Sequence, residues 1–263
     1  MRIAVIASDT AHSQQKKQEL EELLTKKGLS LDNQLPEVVI TIGGDGTLLS
    51  AFNRYAHRLD SIRFIGIHTG HLGFYTDWRD YELEEVVDSL QEIDNHSVSY
   101  PLLDVTVTFR NDKEPKHFLA LNECVVRRMN GMMIANVYLK DELFEQFRGD
   151  GLSVSTPTGS TGYNKSVGGA VLHPSVNALQ LAEVASVNNR VYRTLGSPLV
   201  IGQSDWITIE FSDLGQHMLS VDHLTTIEEE VEKISYRVAK ERIHFGGHRH
   251  TNFWSRVKEA FIK

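Results

Sequence analysis

The sequence is poor in cysteine and in long apolar runs, and each deficit excludes a class of protein. Its 263 residues include one cysteine, Cys124, which excludes an internal disulfide framework and any cysteine-based zinc or iron–sulfur cluster. A single cysteine fits a reducing compartment, so we expect a cytoplasmic protein. No stretch approaches the run of about 18 apolar residues typical of a transmembrane helix. We therefore expect no membrane association.

Positive charge is also scarce. The chain carries 27 Lys and Arg against 35 Asp and Glu, a formal net charge of −8. Most of this excess lies in the first 100 residues, where 9 Lys and Arg face 16 Asp and Glu. Proteins that bind nucleic acids normally present a basic stripe, and none is visible here. Nucleic acid is therefore not expected as a partner.

Short apolar runs alternate with helical patterns over the first hundred residues. Strand-length runs occupy 2–7, 37–42 and 62–67, and helical spacing occupies 13–27 and 79–93. Ser13 is the expected N-cap of the first helix, and a second helix is expected to start near Thr47. Continuous apolar strands separated by helices are typical of a parallel sheet covered on both faces. The pattern predicts a Rossmann-like α/β domain over residues 1–100.

The pattern changes near residue 100. Strand-like runs then follow one another with few helical stretches between them, and residues 117–127 form one of these runs. This predicts a β-rich domain over residues 101–245. Helical spacing returns at 252–262, so we expect the segment 246–263 to form a helix that packs on the first domain.

The first motif that carries chemistry is Gly43-Gly44-Asp45-Gly46-Thr47, directly after a buried run and before a helix. Glycines there let the backbone approach a ligand, and a helix N-terminus favours phosphate. Because a carboxylate repels phosphate, Asp45 is useful as a metal ligand or as a base for a hydroxyl that attacks phosphorus. The alternative is an ordinary tight turn with a solvated Asp. The P-loop and G-x-G-x-x-G signatures are absent, which disfavours P-loop NTPases and ordinary Rossmann dehydrogenases.

Two further candidates lie in the second region. Segment 148–169 holds six glycines, seven Ser or Thr and one Tyr, which suits a loop that binds sugar hydroxyls and phosphates. The alternative is a flexible surface loop. Asn122 and Glu123 are adjacent in a strand-like run, and a carboxylate can accept hydrogen bonds from a vicinal diol. An exposed strand end is the alternative explanation for that pair.

One histidine pattern favours a plain explanation. His244, His248 and His250 have a spacing that could suggest a metal site, but no acidic partner lies within the segment. A polar, glycine-rich loop explains the pattern better. We therefore predict no metal site built from protein ligands alone.

With these motifs assembled, the chain resembles the NAD kinases of the bacterial type. GGDGT alone is shared with lipid kinases, but the long Gly-Asp-Gly to Tyr run after an Asn-Glu pair is more specific. The matching motifs are 43–47, 66–74, 121–123, 148–169, 188–190 and 197–199. The resemblance implies an active site between two domains. It implies transfer of the terminal phosphoryl of ATP, or of polyphosphate in some members, to the 2′-hydroxyl of the adenosine ribose of NAD.

The resemblance also implies residue roles and partners. Asp45 corresponds to the proposed general base, and Gly43, Gly44, Gly46 and Thr47 to the phosphate-binding turn. The implied NAD-binding residues are Asp45, Gly46, Phe74, Tyr75, Asn122, Glu123, Arg148, Asp150, Thr158, Thr161, Gly162, Tyr163, Asn164, Lys165, Ser166, Ala185 and His223. Mg²⁺ with ATP, and a homotetramer, are implied as well. Gly162 departs from the family, which commonly has alanine there, so its adenine contact differs from the pattern.

Two alternative functions remain open from the residues. A lipid kinase shares GGDGT but needs an apolar acceptor pocket or a membrane-docking surface, whereas segment 148–169 is polar. A non-catalytic dinucleotide sensor would not need a carboxylate such as Asp45 beside phosphate. Consumption of ATP in the presence of NAD separates the sensor from the kinase.

Overall fold

The structure is a computed structural model that describes residues 1–93, 97–111, 113–212, 215–246 and 252–262. His248 and His250 lie outside the described residues. The chain divides into one unit of Met1–Tyr100 with Glu241–Lys263 and a second of Pro101–Lys240.

Strands outnumber helices among the described residues. The helices are α1 (Ala11–Lys26), α2 (Asp45–Tyr55), α3 (Leu83–Ser89), α4 (Tyr163–Ser166) and α5 (Phe253–Phe261). The strands are β1 (Arg2–Ala7), β2 (Ser30–Leu31), β3 (Val38–Ile42), β4 (Arg63–His68), β5 (Trp78–Arg79), β6 (Val98–Phe109), β7 (Lys116–Ala120), β8 (Glu123–Arg128), β9 (Met133–Leu139), β10 (Glu142–Gly149), β11 (Gly151–Ser155), β12 (Ala178–Val184), β13 (Leu199–Gly202), β14 (Ile207–Phe211), β15 (His217–Val221), β16 (Leu224–Glu228) and β17 (Val231–Phe245).

The first unit contains the predicted parallel sheet. Its strands run in the order β4-β3-β1-β2, with β5 beside β4, and every one of these pairings is parallel. All five residues of β3 are buried, as expected for a central strand covered on both faces. Leu20 and Leu24 of α1 pack into the same core as the strand residue Ile40. The α/β prediction for this region is confirmed.

Three boundaries in this unit differ from the sequence expectation. Thr10, rather than Ser13, caps α1, and its hydroxyl accepts the Ser13 N–H at 3.2 Å. α2 begins at Asp45 instead of near Thr47, because glycine at position 44 supplies an extended N-cap. The helix expected over 79–93 is shorter, because α3 covers only Leu83–Ser89. Arg79 belongs to β5, and Leu90–Glu92 form a 3₁₀ turn.

The second unit is antiparallel. One sheet has the order β13-β12-β11-β8-β15-β16. Strands β10, β9, β14 and the first part of β17 pair in that order, and β6 pairs with β7. Apolar side chains such as Val126, Val154 and Ile209 share one core. The predicted β-rich fold is therefore confirmed for this region.

Two sequence expectations in this unit are wrong in detail. The run 117–127 is not one strand: β7 ends at Ala120 and β8 begins at Glu123, so Asn122 lies at the break between them. Segment 148–169 is not a continuous loop, because it contains the fully buried β11, a 3₁₀ turn at Thr158–Thr161 and α4. Small side chains let this segment pack in the interior, whereas the sequence had favoured a loop that binds sugar hydroxyls and phosphates.

Gly66 of β4 lies where another part of the chain crosses the sheet closely. A Cβ added at Gly66 would lie 2.2 Å from the Tyr75 carbonyl oxygen and 2.8 Å from Thr76 Cα. Gly70 has no heavy atom within 4 Å of the equivalent position. The stretch 73–77 can therefore rest on the sheet only because residue 66 lacks a side chain.

We predict that Gly66→Ala lowers the free energy of unfolding by about 1–3 kcal/mol, the usual cost of overpacking a tight interior. Gly70→Ala is the matched control and should change it by less than about 0.5 kcal/mol. Urea unfolding followed by circular dichroism measures both. Equal midpoints for the two variants would contradict the close approach.

Candidate active site

The GGDGT motif forms the turn between β3 and α2. Gly43 has φ +152°, and a Cβ there would lie 2.3 Å from Thr47 Oγ1, so this position requires glycine. Its N–H donates to the Ile67 carbonyl of β4 at 2.9 Å. Gly44 and Gly46 are exposed at the start of the helix. The turn thus offers exposed backbone at a helix N-terminus, an arrangement that suits phosphate.

The Asp45 carboxylate is held by backbone donors. Its two oxygens accept the N–H groups of Phe74 and Tyr75, each at 2.9 Å. A Cβ at Gly73 would lie 2.2 Å from Asp45 Oδ1, so only glycine permits this approach. A carboxylate has about four acceptor sites, so capacity remains for a further hydrogen bond. Asp45 is half-buried in the first turn of α2, where the helix dipole favours a negative charge.

A hydroxyl cluster lies beside this turn, and sequence reasoning missed it. Ser13 Oγ is fully buried and bonds to Ser8 Oγ at 2.8 Å and to Thr69 Oγ1 at 3.0 Å. Ser8 Cβ would lie 3.2 Å from a Cβ added at Gly43. These residues follow the ends of β1 and β4, so only knowledge of the strand order could have brought them together.

In the second unit, Asp222 holds the break between β7 and β8. Its carboxylate accepts the N–H groups of Leu121 at 2.8 Å, Asn122 at 2.7 Å and Glu123 at 3.2 Å. Asp222 has φ +51° and donates its own N–H to the Glu123 carbonyl at 2.9 Å. Asp222 could not be assigned from the sequence, because about a hundred residues separate it from the Asn-Glu pair and no spacing rule links them.

The 3₁₀ turn packs against the same break. Thr156 donates its hydroxyl to the Leu121 carbonyl at 2.6 Å and its N–H to the Asn122 carbonyl at 2.9 Å. A Cβ at Gly159 would lie 2.0 Å from the Asn122 carbonyl oxygen. The structure therefore places the Asn-Glu pair beside segment 148–169. Thr158 is buried in this turn, and Thr161 donates its hydroxyl to the Thr158 carbonyl at 3.3 Å.

Glu123 is a buried acid with an unusual titration. Its side chain is 9% exposed, and Oε2 has no hydrogen-bond partner among the described residues. Burial, reinforced by the negative charge of Asp222, raises the pKa of Glu123 to about 8, against the backbone N–H of Tyr163, which lowers it. At neutral pH the group is therefore mainly protonated, so it can donate as well as accept.

The helix α4 carries the remaining predicted residues of this segment. The Tyr163 hydroxyl bonds to Arg127, whose guanidinium lies 5.1 Å from the centre of the ring. Asn164 is fully buried. Its side-chain Nδ2 donates to the carbonyls of Ser160 and Ala170, which lie close to it in sequence. Lys165 and Ser166 are exposed.

Gly162 lies against the buried acid. A Cβ at this position would lie 3.1 Å from Glu123 Oε2, closer than ordinary van der Waals contact. Glycine therefore leaves open the space beside the Glu123 carboxyl that the methyl group of alanine would fill.

A second group of predicted residues lies at the edge formed by β10, β11 and β12. Asp150 donates its N–H to the Val184 carbonyl at 3.0 Å, next to the exposed Ala185 with φ +47°. The Arg148 guanidinium stacks 4.0 Å from the ring centre of Tyr192. The backbone thus brings Arg148, Asp150 and Ala185 together. His223 is exposed directly after Asp222.

Phe74 and Tyr75 have different environments in the first unit. The Phe74 ring is half-buried against the aromatic rings of α5, with centroids 6.2 Å from Phe253 and 5.9 Å from Phe261. The Tyr75 ring is buried and stacks on Phe245 at 5.9 Å. Tyr75 therefore serves Asp45 through its backbone N–H, while its ring belongs to the core.

Two kinds of feature are absent from the part of the chain that the structure describes. No group of three or more His, Cys, Asp or Glu in that part of the chain could hold a metal ion. Within the same residues, no helix combines the length and apolar composition needed to cross a membrane.

Comparison with known proteins covers both units. The sequence profile of the ATP-NAD kinase N-terminal domain matches residues 4–97, and that of the C-terminal domain matches residues 121–240. An NAD kinase of Enterococcus faecalis is 56% identical over 262 residues, covering 100% of this chain and 99% of that protein. An NAD kinase of Latilactobacillus sakei is 53% identical, covering 100% and 98%.

Solved structures share the fold at low sequence identity. Yeast NADH kinase complexed with NADH has a TM-score of 0.84 at 19% identity, covering 100% of this chain and 87% of that one. An NAD kinase from Archaeoglobus fulgidus in complex with ATP has a TM-score of 0.77 at 22% identity, covering 98% and 99%. Since the profiles and full-length relatives span both units, the chain belongs to the NAD kinase family.

Proposed function

We propose that this chain transfers the terminal phosphoryl of ATP to the 2′-hydroxyl of the adenosine ribose of NAD, giving NADP and ADP. One observation carries the assignment of the chemistry: a carboxylate, Asp45, is oriented by two backbone donors at the glycine-rich start of a helix. Relatives named NAD kinase, 56% and 53% identical along the whole chain, support the choice of substrates.

In this proposal the turn from Gly43 to Thr47 binds the ATP phosphates. Phosphoryl transfer asks the protein mainly for alignment and neutralisation of charge. The exposed Gly44 and Gly46 and the helix N-terminus supply neutral donors, which suits a unit with few cations. Asp45 is the carboxylate of this turn that could lie beside Mg²⁺, which would come bound to ATP and would supply neutralisation of the phosphate charge.

Asp45 then acts on the acceptor. The 2′-hydroxyl oxygen bonds to the terminal phosphorus, the bond from that phosphorus to the bridging oxygen breaks, and ADP leaves. The hydroxyl proton passes to Asp45. Because the N–H groups of Phe74 and Tyr75 fix both carboxylate oxygens, the base enters the reaction already oriented.

The second unit supplies the proposed dinucleotide contacts. The buried, mainly neutral Glu123 can donate to one hydroxyl of a ribose diol and accept from the other, beside Asn122. Tyr163 offers a half-exposed ring for stacking. Lys165 and Ser166 lie on the same helix, α4, and Thr161 ends the 3₁₀ turn just before it. The remaining proposed NAD contacts are Gly46, Phe74, Tyr75, Arg148, Asp150, Thr158, Gly162, Asn164, Ala185 and His223.

We further propose that the chain works in the cytoplasm as a homotetramer. Apolar side chains are exposed on one stretch of the second unit, among them Val191 at 78%, Leu195 at 47% and Val200 at 46%. Such exposure is typical of a surface that another copy covers. The single cysteine, Cys124, is buried and unpaired by any disulfide, which fits a reducing compartment.

We predict that wild-type protein with NAD, ATP and Mg²⁺ forms NADP, and that Asp45→Asn lowers the rate about 10²–10⁴-fold by removing the base. A dehydrogenase strictly dependent on NADP reports the product. Asn keeps an acceptor for only one of the two backbone N–H groups and turns its NH₂ toward the other, so the melting temperature should fall, and rates are compared at a temperature at which circular dichroism shows both proteins folded.

The outcomes separate the alternatives. Unchanged turnover in Asp45→Asn would remove the base from the mechanism. If wild-type protein makes no NADP with ATP or polyphosphate, the proposed reaction fails, and lipid acceptors and simple ligand binding become the next assays.

We predict that Glu123→Gln gains stability relative to wild type as pH rises from 6 to 9. The stabilisation linked to a raised carboxyl pKa is fully present below the unfolded pKa and is lost as pH rises through about 8. The relative gain should be about 3 kcal/mol, since about two pH units separate pH 6 from the pKa of Glu123 and each unit corresponds to about 1.4 kcal/mol. Urea unfolding at both pH values measures it, with the exposed Glu22→Gln as control. A difference independent of pH would contradict the raised pKa.

A further inference from the structure

The loop Gly73–Asp77 presents two opposite faces to charged side chains. On one face, the N–H groups of Phe74 and Tyr75 donate to the Asp45 carboxylate, each at 2.9 Å. On the other face, carbonyl oxygens of the same loop accept hydrogen bonds from Arg256 of α5. The loop is therefore held on one face by Asp45 of α2 and on the other by Arg256 of α5.

Arg256 is almost fully committed to this loop. Its Nη1 donates to the carbonyls of Gly73 at 3.3 Å, Phe74 at 2.8 Å and Thr76 at 3.1 Å. Its Nη2 forms an ion pair with Asp77, and the two side chains are only 7% and 1% exposed. Burial of a guanidinium is costly unless it is paired and hydrogen-bonded, and here it is both.

The peptide groups involved are shared by the two charged side chains. The Gly73 carbonyl and the Phe74 N–H belong to one peptide group, and the Phe74 carbonyl and the Tyr75 N–H belong to the next. Each of these two groups therefore accepts from a cation at one end and donates to an anion at the other. Hydrogen bonds in such a chain polarise and strengthen one another.

Aromatic packing keeps α5 in place over the loop. The Phe74 ring lies between Phe253 and Phe261, with centroid distances of 6.2 Å and 5.9 Å. Aromatic pairs at these distances stabilise the contact beyond the effect of their buried area. Arg256 lies between those two residues in the helix, so the same contact that buries the rings delivers the guanidinium to the loop.

We propose that Arg256 is a positioning residue for Asp45, acting through the peptide groups 73–74 and 74–75. It touches no reacting atom. Its cation fixes and polarises the two N–H donors that orient the carboxylate, so its effect on phosphoryl transfer passes through Asp45. The inference rests on the proposed role of Asp45 as base.

The test is a double-mutant cycle on the full chain. Single variants are Arg256→Ala, Arg256→Lys and Asp45→Asn, combined with the doubles that join each Arg256 change to Asp45→Asn. Lys258→Ala is the matched control, since Lys258 is an exposed cation on the same helix. Initial rates of NADP formation give kcat and the KM for ATP, and circular dichroism confirms folding.

We expect Arg256→Ala to lower kcat about tenfold or more, because small misplacement of a reacting group is expensive. The KM for ATP should change by less than about threefold, since Arg256 does not contact the phosphate-binding turn. Arg256→Lys should fall between wild type and Ala, because lysine keeps the charge but has a single nitrogen for Asp77 and the three carbonyls, which Nη2 and Nη1 of Arg256 serve separately. Lys258→Ala should match wild type.

The cycle distinguishes positioning from general stability. If Arg256 acts through Asp45, its replacement in the Asp45→Asn background should cost less than about threefold in kcat. An equal loss in both backgrounds, or unchanged kcat in a folded Arg256 variant, would overturn the proposal. Where Arg256→Ala does not fold, the Arg256→Lys cycle decides by the same criterion. Absence of NADP from wild-type protein instead counts against the proposed function.

Discussion

The pair of hydrogen bonds from the Phe74 and Tyr75 N–H groups to Asp45 is the constraint on which the first unit depends. It requires a loop that passes close over β4, and Gly66 has no side chain to obstruct that path. It also requires the carboxylate to approach Gly73, where any Cβ would collide with it. The position of the Asp45 carboxylate in α2 thus depends on two other stretches of the chain, the loop 73–75 and strand β4.

The second unit orders its polar residues by the same physical means. Asp222 accepts three consecutive backbone N–H groups, which shapes the break between β7 and β8 and leaves Asn122 and Glu123 at that break. Burial, reinforced by the charge of Asp222, raises the pKa of Glu123 to about 8, so this carboxyl is mainly protonated at neutral pH. In both units a carboxylate accepts hydrogen bonds from consecutive backbone N–H groups. A glycine permits close packing at each place: Gly73 lies against Asp45, and Gly159 lies against the Asn122 carbonyl.

The strength of the sequence prediction follows the range of the interactions involved. β3 and the glycine turn after it were predictable because apolar continuity and glycine spacing are local signals. The parallel and the antiparallel region followed from the same periodicity. The roles of Asp222, Ser13 and Arg256 were not predictable, since each depends on contacts with residues distant in sequence. Segment 148–169 was predicted as a binding loop and is instead a strand, a 3₁₀ turn and a short helix, because small residues suit a buried turn as well as a loop.

Asp45 and Arg256 together fix the two peptide groups between Gly73 and Tyr75, one from the N–H side and the other from the carbonyl side. Amide hydrogen exchange of Phe74 and Tyr75, followed by NMR in the full chain, tests it most directly. We predict strong protection of both amides in wild type and loss of that protection in Arg256→Ala, with the amides of β3 unchanged. Equal exchange rates for Phe74 and Tyr75 in the two proteins would contradict the account.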